Sequence, residues 1–244
     1  MEFDTPLICL NAQIMKNRLF VFSFVFLFSF SAFTDSYSGA SENAEIIVRS
    51  PVWVFLETEP GSFTEEKKEK SIPPKAALNE LSRYILSAMT YGLKFSYTPY
   101  DKTRGVKEFF ELVPIVQIET DDKNIFITSI TLKYPFYYCW AEYRIPESKT
   151  ARLQFWKSIS HKTIKGRGSG ERSDELDGVY TAYAEAAKNA VREYARKLTK
   201  NKPKEITGEL LIKSNPRLYV ESGLFKAEVE FYLNIEKIIP YTVF

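Results

Sequence analysis

From Leu224 to Ile239 the apolar residues Phe225, Ala227, Val229, Phe231, Leu233 and Ile235 fall at every second position, with Lys226, Glu228 and Glu230 between them. This is the period of a β-strand that turns one face to a core and the other to solvent. A strand of this length needs partner strands at its edges and a layer over its apolar face. The preceding segment predicts the cover. Tyr180, Tyr183, Ala184, Ala187, Ala190, Val191, Tyr194, Ala195 and Leu198 recur at helical spacing, while Glu185, Lys188, Arg192, Glu193, Arg196 and Lys197 form the polar side. Asp174, Glu175 and Asp177 stand near the start of this helix and Arg196, Lys197 and Lys200 near its end. Each charge is placed favourably for the helix dipole.

A further amphipathic helix opens at Pro73-Pro74, carries Leu78, Leu81, Ile85, Ala88 and Met89 on one stripe, and ends at Gly92. Strands are predicted around it. The first, over 46–56, is interrupted by Pro51, which lacks a ladder donor and so belongs at an edge or a bulge. Leu93, Phe95 and Tyr97 alternate with polar residues in a second, and 109–119, 124–133, 136–145, 151–164 and 209–213 follow as further strands. Asp121-Asp122-Lys123-Asn124 has the turn chemistry of a hairpin between 109–119 and 124–133. The expected fold class is α+β, a largely antiparallel sheet with two long amphipathic helices packed on one face. Stretches 45–119 and 150–238 share a strand-helix-strand-strand plan, with Pro99 to Phe109 and Pro216 to Phe225 at nearly equal spacing. A remote duplication would produce that plan.

Ahead of this domain lies a secretory pattern. Lys16 and Arg18 precede an uncharged apolar run from 19 to 30, followed by small and polar residues that include Ser36, Ser38 and Ala40. The run falls short of the roughly 20 apolar residues of a membrane span, so it reads as a signal peptide cut after Ala40; an uncleaved anchor is the alternative. Residues before Met15 carry Glu2 and Asp4 where an export signal is basic, which places the expected start at Met15 and Cys9 upstream of it. The expected division is an extension and signal over 1–40 and a single domain over 41–244. The product is expected in the periplasm or outside the cell, with no membrane span in the mature chain.

Composition excludes some partners. Removing 1–40 takes two of 33 basic and three of 31 acidic residues, and the remainder is close to charge balance. A nucleic-acid binder ordinarily shows a strong basic excess. With 45% hydrophobic and 15% aromatic residues the chain can build a core. Cys139 is then the sole cysteine, so burial and not a disulfide must hold the fold.

Catalytic constellations are sparse. His161 is the only histidine, so a multi-histidine metal site is excluded and any histidine-dependent hydrolase would have to use it, with Asp121 or Glu142 as the acid. Cys139, between Tyr138 and Trp140, has no adjacent cation to activate it. Gly166-Arg167-Gly168-Ser169-Gly170 matches no phosphate-loop pattern and precedes four carboxylates, so it reads as a mobile linker. No catalytic, cofactor-binding or metal residues are assigned and no cofactor is expected.

The aromatic segment 134–143 offers more. As a strand it places Phe136, Tyr138, Trp140 and Glu142 on one face and Tyr137, Cys139, Ala141 and Tyr143 on the other. Covered on both sides it would be a central strand; left open, its aromatic face would bind a glycan, a lipid or a protein, and in either arrangement Trp53 and Trp156 would join Phe136, Tyr138 and Trp140. The expected function is therefore a non-enzymatic exported protein that binds another cell-envelope component through a sheet face or edge. The alternatives are a carrier holding an apolar small ligand in a cavity, or a hydrolase using His161.

Overall fold

The alternation over 224–239 is also the alternation of burial: Phe225, Ala227, Val229, Phe231 and Leu233 are buried and the intervening residues are not. The computed structural model describes residues 45–57, 72–158, 161–199 and 201–241. The expected signal segment, Met15 and Cys9 lie outside the described residues. In chain order the elements are β1 (Ile47–Phe55), α1 (Pro74–Thr90), β2 (Leu93–Thr98), β3 (Phe109–Pro114), β4 (Ile125–Lys133), β5 (Phe136–Arg144), α2 (Thr150–Trp156), β6 (Lys162–Glu171), α3 (Glu175–Leu198), β7 (Glu205–Ile212), β8 (Arg217–Glu221) and β9 (Leu224–Ile239).

The fold is α+β and the paired strands are antiparallel. They divide between two sheets. One has the order β1-β5-β4, and the other runs β3-β2-β7-β9-β6 with β8 also on β9. Strand β9 is long enough to organise the larger sheet. One of its edges pairs with β6, while the other pairs first with β8 and then with β7. A two-residue turn, Ser222-Gly223, joins β8 to β9 with both residues at positive φ, the backbone that matches strand twist in tight hairpins.

Helix α3 lies on β6 and β9. The glycines of 166–170 are strand residues, not the expected linker: Gly166, Gly168 and Gly170 face the helix at positions where a Cβ would lie within 2.2 Å of its backbone. Gly178, Ala182, Ala186 and Ala190, four apart on α3, are the residues met or passed by that strand. Small residues on both elements let helix and strand backbones approach, and the absence of side chains that reads as looseness in one dimension is a close-packing surface in three.

Helix α1 touches both sheets, through β1 and β5 on one side and β7 on the other. Leu78, Leu81, Ile85 and Leu86 are buried there, each stabilising the fold by about 2 kcal/mol on an area basis. Tyr84 joins α1 to α3, its ring centroid 4.9 Å from Tyr180 and 6.0 Å from Tyr183. Pro51 takes its expected place on an edge strand, since among the described residues β1 pairs with β5 alone.

Three further expectations are corrected. The strand over 151–164 is instead helix α2 followed by the start of β6: Leu153 and Trp156, three apart, are both buried, as helical spacing allows and strand alternation does not. Asp121 and Asp122 do not close a hairpin, because β3 belongs to the larger sheet and β4 to the smaller. Asp122 instead accepts from the Asn124 backbone and side-chain amides, a local turn that redirects the chain between sheets. Strand 209–213 is longer, β7 beginning at Glu205, and β8 was not anticipated.

Candidate functional site

The two faces of β5 differ as its alternation requires. Cys139, Ala141 and Tyr143 are buried, while Phe136, Tyr138 and Trp140 are half-buried on the opposite face. Register with β1 extends this second face, because Phe55 stands opposite Phe136, Trp53 opposite Tyr138 and Pro51 opposite Trp140. The rings form one cluster: Trp53 lies 5.0 Å from Phe136, 6.4 Å from Tyr138 and 5.6 Å from Phe55 between centroids. Phe225, the first buried residue of β9, meets it at 6.3 Å from Trp53 and 6.0 Å from Phe55. Trp53 Nε1 donates to the Leu218 carbonyl at 3.2 Å, which ties the smaller sheet to β8.

Cations frame the cluster at both ends. The Arg172 guanidinium sits 4.2 Å over the Phe55 ring, and that of Arg49 sits 4.1 Å over Trp140 while pairing with Glu142 at 2.9 Å. Such stacking stabilises the rings that the guanidinium groups cover. Next to Phe55 a cavity of about 100 Å³ opens, lined by Trp53, Phe55, Leu176, Val179 and Phe225, with Arg172 and Glu175 among its polar walls. Tyr134, in the β4–β5 turn, is 75% exposed, whereas Leu132, 65% exposed on β4, stands opposite Tyr137 and so lies on the other face of the sheet.

Of the five residues expected on the surface, Phe136, Tyr138 and Trp53 are brought together, and Trp140 shares their face beside Arg49. Trp156 does not belong with them. It is 0% exposed on α2, against Phe155 and His161, because the segment is helical and turns this ring inward. Phe55, Phe225 and Arg172 are members that the sequence reading left out. Phe55 was within reach, since it alternates with Trp53 on β1; Arg172 and Phe225 arrive from distant elements and no local pattern marks them.

The polar candidates are dispersed. The Ser158 hydroxyl and His161 Nδ1 are 3.0 Å apart within a local turn, and the imidazole packs against Phe155 and Trp156. Glu142 is engaged on the smaller sheet with Arg49 and the Thr128 hydroxyl, and Asp121 is exposed in the turn after β3. Neither carboxylate is placed with His161 by these contacts. Cys139 is buried with its Sγ 4.0 Å from the Ser82 hydroxyl, and burial pushes its thiol pKa up. Among the described residues there is no group of three or more His, Cys, Asp or Glu side chains able to hold a metal ion. No helix among them is long and apolar enough to cross a membrane.

Comparison with known proteins places these features in a family. No solved structure matches the chain. A protein-family model matches residues 36–241. An uncharacterized protein of Treponema pallidum (strain Nichols) is 37% identical over 224 residues, covering 92% of this chain and 94% of that protein. Identity at this level across both chains is carried by the whole domain and not by a single motif, and the chain belongs to the family of this treponemal protein.

Proposed function

We propose that the protein is exported to the periplasm or beyond and acts there, without catalysing a reaction, by binding a protein of the cell envelope on the aromatic face of β1 and β5. The observation that carries this reading is the convergence of Trp53, Phe55, Phe136 and Tyr138, half-buried on one face, beside an apolar cavity. Rings of this kind contribute large contact area at low entropic cost and are enriched where proteins meet. The cavity favours a protein partner over a carried small molecule: about 100 Å³ is below the roughly 300–1,000 Å³ of small-molecule sites and suits a single apolar side chain. Its aliphatic walls, Leu176 and Val179, also suit such a side chain better than a sugar.

The test is site-specific photocrosslinking in the native host, with a photoreactive phenylalanine analogue at Tyr138 and, as a control, at Phe109, an exposed ring on β3. The reading expects one defined envelope adduct from position 138, lost with Trp53→Ala, and none from 109. Equal labelling from both positions, or no adduct at 138, overturns it. N-terminal sequencing of the same material addresses export, with a mature terminus just after Ala40 expected and a chain retained from Met15 in the cytosol excluding it.

A further inference from the structure

Away from the aromatic face, the end of α3 forms a second concave site. Arg192 and Arg196, four apart, share a side of that helix, and with Tyr97, Tyr100, Glu108 and Lys202 they line a cleft of about 570 Å³. The charges do not balance. Among the described residues that line it, Arg192, Arg196 and Lys202 stand against one carboxylate, Glu108, which is already engaged: it accepts from the Tyr97 hydroxyl at 2.9 Å and meets Arg192 at 3.6 Å and Lys188 at 4.0 Å.

Arg192 is held in place, its Nη2 donating to Asn189 Oδ1 at 2.6 Å. Lys202 Nζ donates to the Tyr100 carbonyl at 2.9 Å, a bond that orients the ammonium without neutralising it. Arg196 makes no ion pair among the described residues. The Tyr100 ring is 53% exposed at the same site, a flat surface beside the cations.

Another cleft on the molecule serves as an internal comparison. It runs over β6, α3 and β9, has a volume of about 680 Å³, and is lined by Lys165, Arg167 and Arg217 with Glu193, Glu228 and Glu230. There the cations meet carboxylates at 3.0–3.6 Å, and the lining is neutral. The helix dipole offsets about half a unit of the positive charge at the end of α3, which leaves an excess in the first cleft that no described lining residue balances.

We infer that the cleft formed by Arg192, Arg196, Lys202 and Tyr100 binds a phosphate-bearing ligand. Two guanidinium groups and an ammonium supply the donors that phosphate oxygens take, and the Tyr100 ring would flank the group attached to the phosphate. A soluble phosphorylated molecule and the headgroup of an anionic phospholipid share this chemistry. The site is separate from the aromatic face, and the inference does not rest on a protein partner binding there.

The experiment uses the chain as its host processes it. Inorganic pyrophosphate is titrated by calorimetry, and sedimentation is followed with phosphatidylglycerol vesicles against phosphatidylcholine vesicles. Saturable pyrophosphate binding is expected, weakened at least tenfold in Arg196→Ala/Lys202→Ala and unchanged in Arg167→Ala/Arg217→Ala, with thermal unfolding confirming that both variants fold. Sedimentation with phosphatidylglycerol that pyrophosphate reverses identifies the lipid headgroup as the source; pyrophosphate binding without sedimentation identifies a soluble one. Absence of both, or equal loss in the two double variants, overturns the inference.

Discussion

Gly168 on β6 and Ala182 on α3 approach so closely that a Cβ on the glycine would lie 2.2 Å from the Ala182 carbonyl oxygen. The obstruction is backbone on a packed helix and cannot swing away as a side chain would. Gly168→Ala is therefore expected to lift α3 from the sheet or strain it, at a cost of about 3 kcal/mol or more. Gly105 is the comparison: none of the described residues lies within 4 Å of its Cβ position, but its φ is +67°, so Gly105→Ala is expected to cost about 1 kcal/mol from backbone strain alone. Urea unfolding of the two variants measures the difference. Equal midpoints would show that α3 does not rest on β6 as described.

How much of this was legible follows from which forces act locally. The alternation of β9 and the stripes of α1 and α3 are one-element patterns, and the structure keeps them except at Leu198, which is exposed at the end of α3. The glycines of β6 were misread because their meaning lies in a partner, α3, that sequence spacing does not display. Trp156 was misplaced for a related reason: a seven-residue helix is too short to announce its period, and an aromatic, β-compatible segment reads equally well as a strand. The faces of β5 were legible from period two alone, whereas Arg172 and Phe225 join the site only through tertiary packing.

Tyr143 stands in a buried chain of hydroxyls, 2.9 Å from the Tyr91 hydroxyl and 3.2 Å from Asp122 Oδ2. Its single proton goes to the carboxylate, which can only accept while ionised, so Tyr91 must donate to Tyr143. Tyr143→Phe breaks both bonds, one of them charge-assisted, and is expected to cost about 2 kcal/mol; Tyr91→Phe breaks one and is expected to cost about 1 kcal/mol. Chemical denaturation of the two single variants and the double variant tests the order, with a double variant close to Tyr143→Phe expected. Additive losses would show that the hydroxyls do not form one chain.

Alkaline pH acts on the same class of group. Burial first, with carboxylate neighbours at Tyr97, Tyr143 and Tyr180, raises the pKa values of Tyr84, Tyr97, Tyr143, Tyr180 and Tyr183 above the ordinary 10.0. Below pH 10 these hydroxyls are protonated in both states and their contribution is fully present. Above it the unfolded chain loses protons that the folded chain keeps, so stability falls by up to about 1.4 kcal/mol per pH unit for each such tyrosine. Unfolding free energies between pH 9 and 11.5 are expected to bend downward near pH 10. Tyr183→Phe, whose shift comes chiefly from burial, removes one tyrosine from that slope; an unchanged slope would contradict the burial of its hydroxyl.

Cys139 reports on opening of the smaller sheet. It sits on the inner face of β5 opposite Val52, 3% exposed, and burial holds its thiol protonated at pH values where a free cysteine begins to ionise. Reaction with a disulfide reagent requires the thiolate and access to it, and the native structure restricts both. In a chain carrying Cys9→Ser, labelling at pH 8 is expected to be slow in buffer and to accelerate in urea in step with loss of helical signal, since α1 covers the face that carries the thiol. Fast labelling well before the helical transition would mean that β1 and β5 part from α1 as a separate unit, and the aromatic cluster on their other face would then rest on a mobile sheet and not on a fixed platform.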